Sequence, residues 1–192
     1  MMATHLEAES DATLASAVAA GDAAAIERLV LRYEAPMFRF ARSITKSDAL
    51  AEEVTQEAFL RALGAAGSFR GEGSLKSWLL TIARNLALRH RPREVPLGDE
   101  EALESLGVRA GWGSPPDPEA QVSAAERSAL LWRALDALGD EDREVLVLRE
   151  LEGLTGPETQ EVLGTSLAAV KSRLHRARLR LVAALREDQE EK

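Results

Sequence analysis

The feature that most narrows the fold of this sequence is the spacing of its apolar residues. Leu75, Trp78, Leu79, Ile82 and Leu86 step mostly by three and four. So do Leu50, Val54, Ala58, Phe59 and Leu63, and again Leu167, Val170, Leu174, Ala177, Leu181 and Ala184. Such steps place one apolar stripe along an α-helix. No segment alternates apolar and polar residues as a half-buried strand does. Ala, Leu, Glu and Arg dominate while aromatic residues make up only 4%, a mixture that favours helices over a β-sandwich or barrel. The expected fold class is all-α. With 45% apolar residues among 192, there is material for packed cores, which excludes wholesale disorder.

Helix punctuation divides the chain. An N-terminal lobe is expected over 10–93 and a C-terminal lobe over 121–187. An acidic linker at 94–120 holds Gly98, Gly107, Gly111, Gly113, Pro115, Pro116 and Pro118, and its run GWGSPPDP cannot be a continuous helix. Trp112 within it is read as docking the linker on a neighbouring surface. The first lobe reads as four helices: one capped by Asp11 and ended by Gly21, one capped by Asp22 and kinked at Pro36, one opened by Asp48, and one capped by Ser74 after a Gly64–Gly73 loop. In the second lobe a helix over Val122–Leu138 ends at Gly139, and Asp140 caps a second that Gly153 breaks. Thr155-Gly156-Pro157-Glu158 forms a capping box, Gly164 turns the chain, and Ser166 caps a long helix from Leu167 to about Arg186.

The net charge of −8 hides a segregation. Between Ser68 and Arg93 the bases are Arg70, Lys76, Arg84, Arg89, Arg91 and Arg93, against the single acid Glu72. From Val162 to Arg186 there are Lys171, Arg173, Arg176, Arg178, Arg180 and Arg186 and no acid, whereas Glu94–Glu126 carries eight acids and one base. Two basic faces flanking an acidic connector suit two contacts with one polyanion.

The absence of cysteine excludes a disulfide scaffold, a thiolate zinc site and a cysteine nucleophile, and is compatible with the reducing cytoplasm, where the protein is expected to reside. There is no apolar run of about 18 residues, and the polar N-terminus lacks a signal-peptide core. No nucleotide-binding loop or plausible triad is present, and His5, His90 and His175 are too scattered to suggest a metal cluster. Neither catalysis, nor a metal, nor a cofactor is expected.

Two constellations bear on nucleic acid. The short capped helix, Gly164 and the long basic helix make a helix-turn-helix. One stripe of the long helix packs on the domain while Lys171, Arg173, His175, Arg176, Arg178 and Arg180 occupy its other faces. Cations there can meet phosphates, and Arg can bridge guanine O6 and N7 in the major groove. The second constellation is FRGEGSLKSWLLTIARNLALRHRPR, from Phe69 to Arg93. A glycine-flexible loop carrying Phe69 and Arg70 leads into a helix with Lys76, Arg84, Asn85, Arg89 and Arg91. A loop able to close on an unstacked base beside a cationic track suits single-stranded DNA. Trp78 shares the apolar spacing and is read as core.

Three runs, AEEVTQEAFLRAL (51–63), GSLKSWLLTIARNLAL (73–88) and VLVLRELEGLTGPETQEVLGTSLAAVKSRLHRARLRL (145–181), resemble a bacterial sigma factor of the sigma-70 family. The short two-lobed form is similar to the extracytoplasmic-function (ECF) group. The resemblance implies that the first lobe is region 2, which binds the β′ clamp helices of core RNA polymerase and melts the −10 element. The second would be region 4, which binds the β flap and reads the −35 element. Carried onto this sequence, polymerase binding falls on Asp48, Glu52, Glu53, Gln56, Glu57 and Leu60. The −10 contacts fall on Phe69, Arg70, Gly71, Ser74, Lys76, Ser77, Arg84 and Asn85, and the −35 contacts on Lys171, Ser172, Arg173, His175 and Arg176.

The sequence departs from the family pattern in places. Arg89 stands where Asp is usual, Glu53 where Asp is commoner, and Thr159 and Gln160 where an apolar residue and Ala are usual, which is expected to loosen packing in the first helix of the motif. The resemblance also implies an anti-sigma partner. The alternatives are a stand-alone helix-turn-helix regulator whose first lobe senses or dimerises, and a helical adaptor that binds only proteins. With lobes joined by a stretch of no fixed span, the free chain is expected to bind duplex promoter weakly and not to melt it.

Overall fold

The computed structural model describes residues 10–71, 73–92 and 123–190, and among them there is no β-strand. Trp112 and the 94–120 linker lie outside the described residues. The N-terminal lobe contains α1 (Asp11–Ala19), α2 (Ala23–Thr45), α3 (Asp48–Ala65) and α4 (Leu75–Ala87). The C-terminal lobe contains α5 (Ala124–Asp136), α6 (Asp140–Leu146), α7 (Gly156–Leu163) and α8 (Leu167–Glu190). A wide π-type turn over Val147–Leu151 extends α6.

The apolar stripes do what their spacing requires. Leu29, Tyr33, Met37, Phe40 and Ile44 of α2 meet Val54, Ala58 and Phe59 of α3 and Leu75, Leu79, Ala83 and Leu86 of α4 in one buried cluster. In the second lobe Leu135, Val145, Leu148 and Leu154 close on Val162, Val170, Leu174 and Ala177. Proline at position 36 does not end α2, which runs unbroken to Thr45.

Most caps sit where the sequence places them, with two corrections. Asp22 accepts from the Ala24 and Ala25 amides, Ser74 from Ser77, and Ser166 from Ala169. Thr155 and Glu158 form the capping box with Pro157 in the first turn of α7. However, Ser10 and not Asp11 caps α1, and Gly139 rather than Asp140 occupies the N-cap of α6. Both aspartates lie in the first helical turn, where a carboxylate still favours the positive end of the helix dipole. Their oxygens are thereby released for distant partners. Of the two departures in α7, Thr159 is accommodated: its side chain is fully buried and its hydroxyl donates to the Thr155 carbonyl at 2.9 Å.

Asp11 shows what that release permits. One of its oxygens accepts the Leu75 amide at 2.7 Å, satisfying an orphan donor at the start of α4. The other accepts the Tyr33 hydroxyl at 3.1 Å. Burial, then the Asp11 carboxylate, push the Tyr33 phenol up to about 12 from its ordinary 10.0. The stabilisation linked to a protonated Tyr33 is thus complete below pH ~10 and is lost as pH rises towards ~12. Tyr33 is the chain's one tyrosine, so phenolate absorbance reports it alone. Its titration is expected near pH 12 in the folded chain and near 10 in denaturant, and a native midpoint near 10 would rule out this environment.

Candidate nucleic-acid interface

The helix-turn-helix is formed by α7, the Gly164 turn and α8. Gly164 adopts φ +63° and its amide returns to the Gln160 and Glu161 carbonyls, a left-handed cap that strongly favours glycine. The two helices approach closely enough that a Cβ at Gly156 would lie 2.8 Å from the Leu167 side chain. On α8, Lys171, Ser172 and His175 are exposed. Arg173 and Arg176 are partly buried, and Arg173 holds Glu141 at 2.9 Å. Arg178 and Arg180 turn back onto Glu150 and Asp142 of their own lobe.

The second constellation is centred on the N-terminus of α4. Arg70 and Gly71 are exposed, with Gly71 at φ +74°. The Phe69 ring leans on Trp78, with centroids 5.8 Å apart, so Trp78 backs the loop as well as packing against the core. Ser77 is buried and its hydroxyl donates to the Ser74 carbonyl at 2.8 Å, so here it serves the cap. Asn85 on α4 and Arg89 just past its end are exposed.

A third surface lies on α3. Asp48, Glu52, Glu53, Gln56 and Leu60 are exposed, Leu60 at 71%, while Glu57 pairs with Arg61 at 2.5 Å and Asp48 with Arg42 at 2.7 Å. Glu52 and Gln56 share a shallow groove with Glu34, Ala35 and Phe38 of α2. A largely exposed leucine among carboxylates suits a partner that has both apolar and basic groups.

What local sequence reasoning missed is the contact between the lobes. Glu152, whose side chain is 0% exposed, receives Arg39 at 2.7 Å and Lys76 at 2.9 Å. Glu144, 2% exposed, receives Arg84 at 2.6 Å and also Arg91. Arg42 grips Asp136 with two hydrogen bonds of 3.0 and 2.8 Å and lies over the Trp132 ring at 5.2 Å. Arg143 is fully buried and donates to the Ser43 carbonyl of α2, to the Leu138 carbonyl and to Asp140. Glu158 of α7 faces Ser74 and Lys76. Burial opposes its charge, but hydrogen bonds from Ser74 and Thr155 and the nearby Lys76 outweigh that and hold its carboxyl below the usual range. One sequence signal could have flagged this interface: Arg143 lies three and four residues before Leu146 and Val147, on the side of α6 that they bury, where an apolar residue is ordinary.

Among the described residues no group of His, Asp and Glu is arranged to hold a metal ion, and no helix is long and apolar enough to cross a membrane.

Comparison with known proteins agrees with this arrangement. The Sigma-70 region 2 family matches residues 29–95, and the Sigma-70, region 4 family residues 128–181. The chain is 32% identical over 166 residues to the RNA polymerase sigma factor YlaC of Bacillus subtilis, covering 86% of this chain and 95% of that one. It is 31% identical over 175 residues to the ECF RNA polymerase sigma-E factor of Escherichia coli, covering 88% and 91%. Its fold matches the structure of CnrH in complex with the cytosolic domain of CnrY, with TM-score 0.65 and 28% identity over 93% of this chain and 98% of that one. With two helical lobes in the same order, a helix-turn-helix in the second and whole-length relatives of this kind, the chain belongs to the ECF group of the sigma-70 family of RNA polymerase sigma factors.

Proposed function

We propose that each lobe carries a distinct part of promoter recognition, with domains at 10–93 and 121–187 and a linker at 94–120. The observation that supports this is the pairing of a cationic loop and helix (69–89) with a separate helix-turn-helix whose second helix exposes Lys171, Ser172 and His175. Phe69, Arg70, Gly71, Ser74, Lys76, Arg84 and Asn85 then engage the opened −10 strand, where Phe69 offers a π-face to an unstacked base. Ser77 acts by fixing the turn that presents them. Lys171, Ser172, Arg173, His175 and Arg176 read the −35 element from the major groove. The α3 surface of Asp48, Glu52, Glu53, Gln56, Glu57 and Leu60 docks on the β′ clamp helices of core polymerase, and the C-terminal lobe on the β flap. The chain acts without catalysis or cofactor of its own, in the cytoplasm. CnrH was solved with the cytosolic domain of CnrY, and an anti-sigma protein is the corresponding partner here.

Run-off transcription with core polymerase and a promoter library tests this reading. A defined −35/−10 consensus is expected, and transcription that does not depend on the added chain would overturn it. In the same assay Arg173→Ala and Arg176→Ala should each weaken promoter affinity by about 1–3 kcal/mol if the side chain contacts a base. Core binding should be retained. An unchanged −35 preference in both variants would remove these residues from base readout.

A further inference from the structure

We infer that the acidic edge of the C-terminal lobe is an intramolecular competitor for the −10 strand: Glu144 and Glu152 occupy the cations of α4 that DNA must use. The inference rests on the assignment of Lys76 and Arg84 to the −10 element. Several polar positions of that site meet an acid of the other lobe. Ser74 hydrogen-bonds to Glu158, Lys76 binds Glu152 at 2.9 Å, and Arg84 binds Glu144 at 2.6 Å. A Cβ at Gly73, in the loop itself, would lie 3.2 Å from a Glu161 carboxylate oxygen. Arg39 and Arg91 complete the two clusters by giving each glutamate a second cation.

A carboxylate between two cationic donors satisfies the groups that a backbone phosphate satisfies. Both glutamate side chains are almost completely buried, at 2% and 0%, so the pairing is shielded from salt far better than a surface pair. The two lobes also face each other directly across these residues. A cleft lined by Arg84, Arg91, Glu144, Gly164, Thr165 and Arg173 sets the −10 helix against the turn of the helix-turn-helix. The −10 strand therefore binds only when the lobes part. Its apparent affinity for the free chain is the intrinsic affinity multiplied by the open fraction.

The test uses the full chain and the non-template −10 strand identified by run-off transcription. X-ray scattering of the free wild-type chain should give a compact particle, with a radius of gyration near ~16 Å for a chain of this length. A freely extended pair of lobes would overturn the inference. The Glu144→Gln/Glu152→Gln variant should expand and bind the labelled strand about tenfold more tightly by fluorescence anisotropy. A folded variant with unchanged affinity overturns the inference, whether or not it expands. If the double variant loses its helical circular dichroism, the wild-type chain decides: strand binding must enlarge the scattering radius, and binding at unchanged radius is the contrary result. Wild-type holoenzyme that ignores the −10 sequence would instead sink the promoter assignment, a failure read in a separate experiment.

Discussion

Replacing Arg143 with Met should destabilise the chain by about 3–5 kcal/mol, the range seen when one partner of a buried ion pair is removed. The side chain is fully buried, and its three guanidinium nitrogens have separate duties. One meets Asp140, one the Leu138 carbonyl, and one the Ser43 carbonyl in the last turn of α2. That last turn has carbonyls with no helical partner and carries the negative end of the α2 dipole, so a guanidinium placed there is doubly favoured. Methionine keeps the volume and loses all three contacts. Asp140 would keep Arg91 at 3.2 Å, but the two carbonyls would be left dry and unpaired. Because the Ser43 contact crosses between lobes, the variant should show both a lower denaturation midpoint and a larger scattering radius. A loss under about 1 kcal/mol would mean that water reaches the site and replaces the guanidinium.

Phe40→Ala should have a comparable effect on the first lobe, about 3–5 kcal/mol. Phe40 has no exposed surface and sits in α2 within the cluster formed with α3 and α4. Its neighbours are held by well-anchored helices: Asp22 and the left-handed Lys46 bound α2, and Ser74 with Asp11 fixes the start of α4. A site so constrained collapses little around a cavity, which places the loss in the upper part of the large-to-small range. Chemical denaturation followed by helical circular dichroism checks it. The −10 loop is anchored through α4, so single-strand binding by holoenzyme should fall with the lobe's stability. A variant that melts like wild type would show that the cluster repacks.

The departures from the family pattern look different once placed in the fold. Arg89 is exposed beyond the end of α4, where an added cation does not crowd the core. Thr159 is accommodated by a hydrogen bond to its own helix. The expectation of two lobes with no fixed span is corrected by the ion pairs that join them. Weak duplex binding by the free chain is still expected, now because its cations are occupied rather than because its lobes wander.

Local structure here follows from near neighbours along the chain. Steps of three and four along Leu75–Leu86 and Leu167–Leu181 suffice for the helices, because a single stripe must be buried wherever the helix lies. Ser74, Asp22, Thr155-Glu158 and Gly164 mark helix ends because each satisfies backbone groups within four residues. The helix-turn-helix was legible for the same reason, as were the exposed faces at 48–60 and 171–176. The tertiary structure alone decided which charges meet. Arg39 and Glu152 are 113 residues apart, and Arg84 and Glu144 are 60 apart. No periodicity links such partners, and a carboxylate destined for a distant guanidinium looks the same in sequence as one facing water. Asp11 and Asp140 show the same thing within single helices. Each was placed correctly at a helix start, yet its partner was set by what the fold brought alongside, since a long-range contact depends on the packing of whole helices and not on their neighbours in the chain.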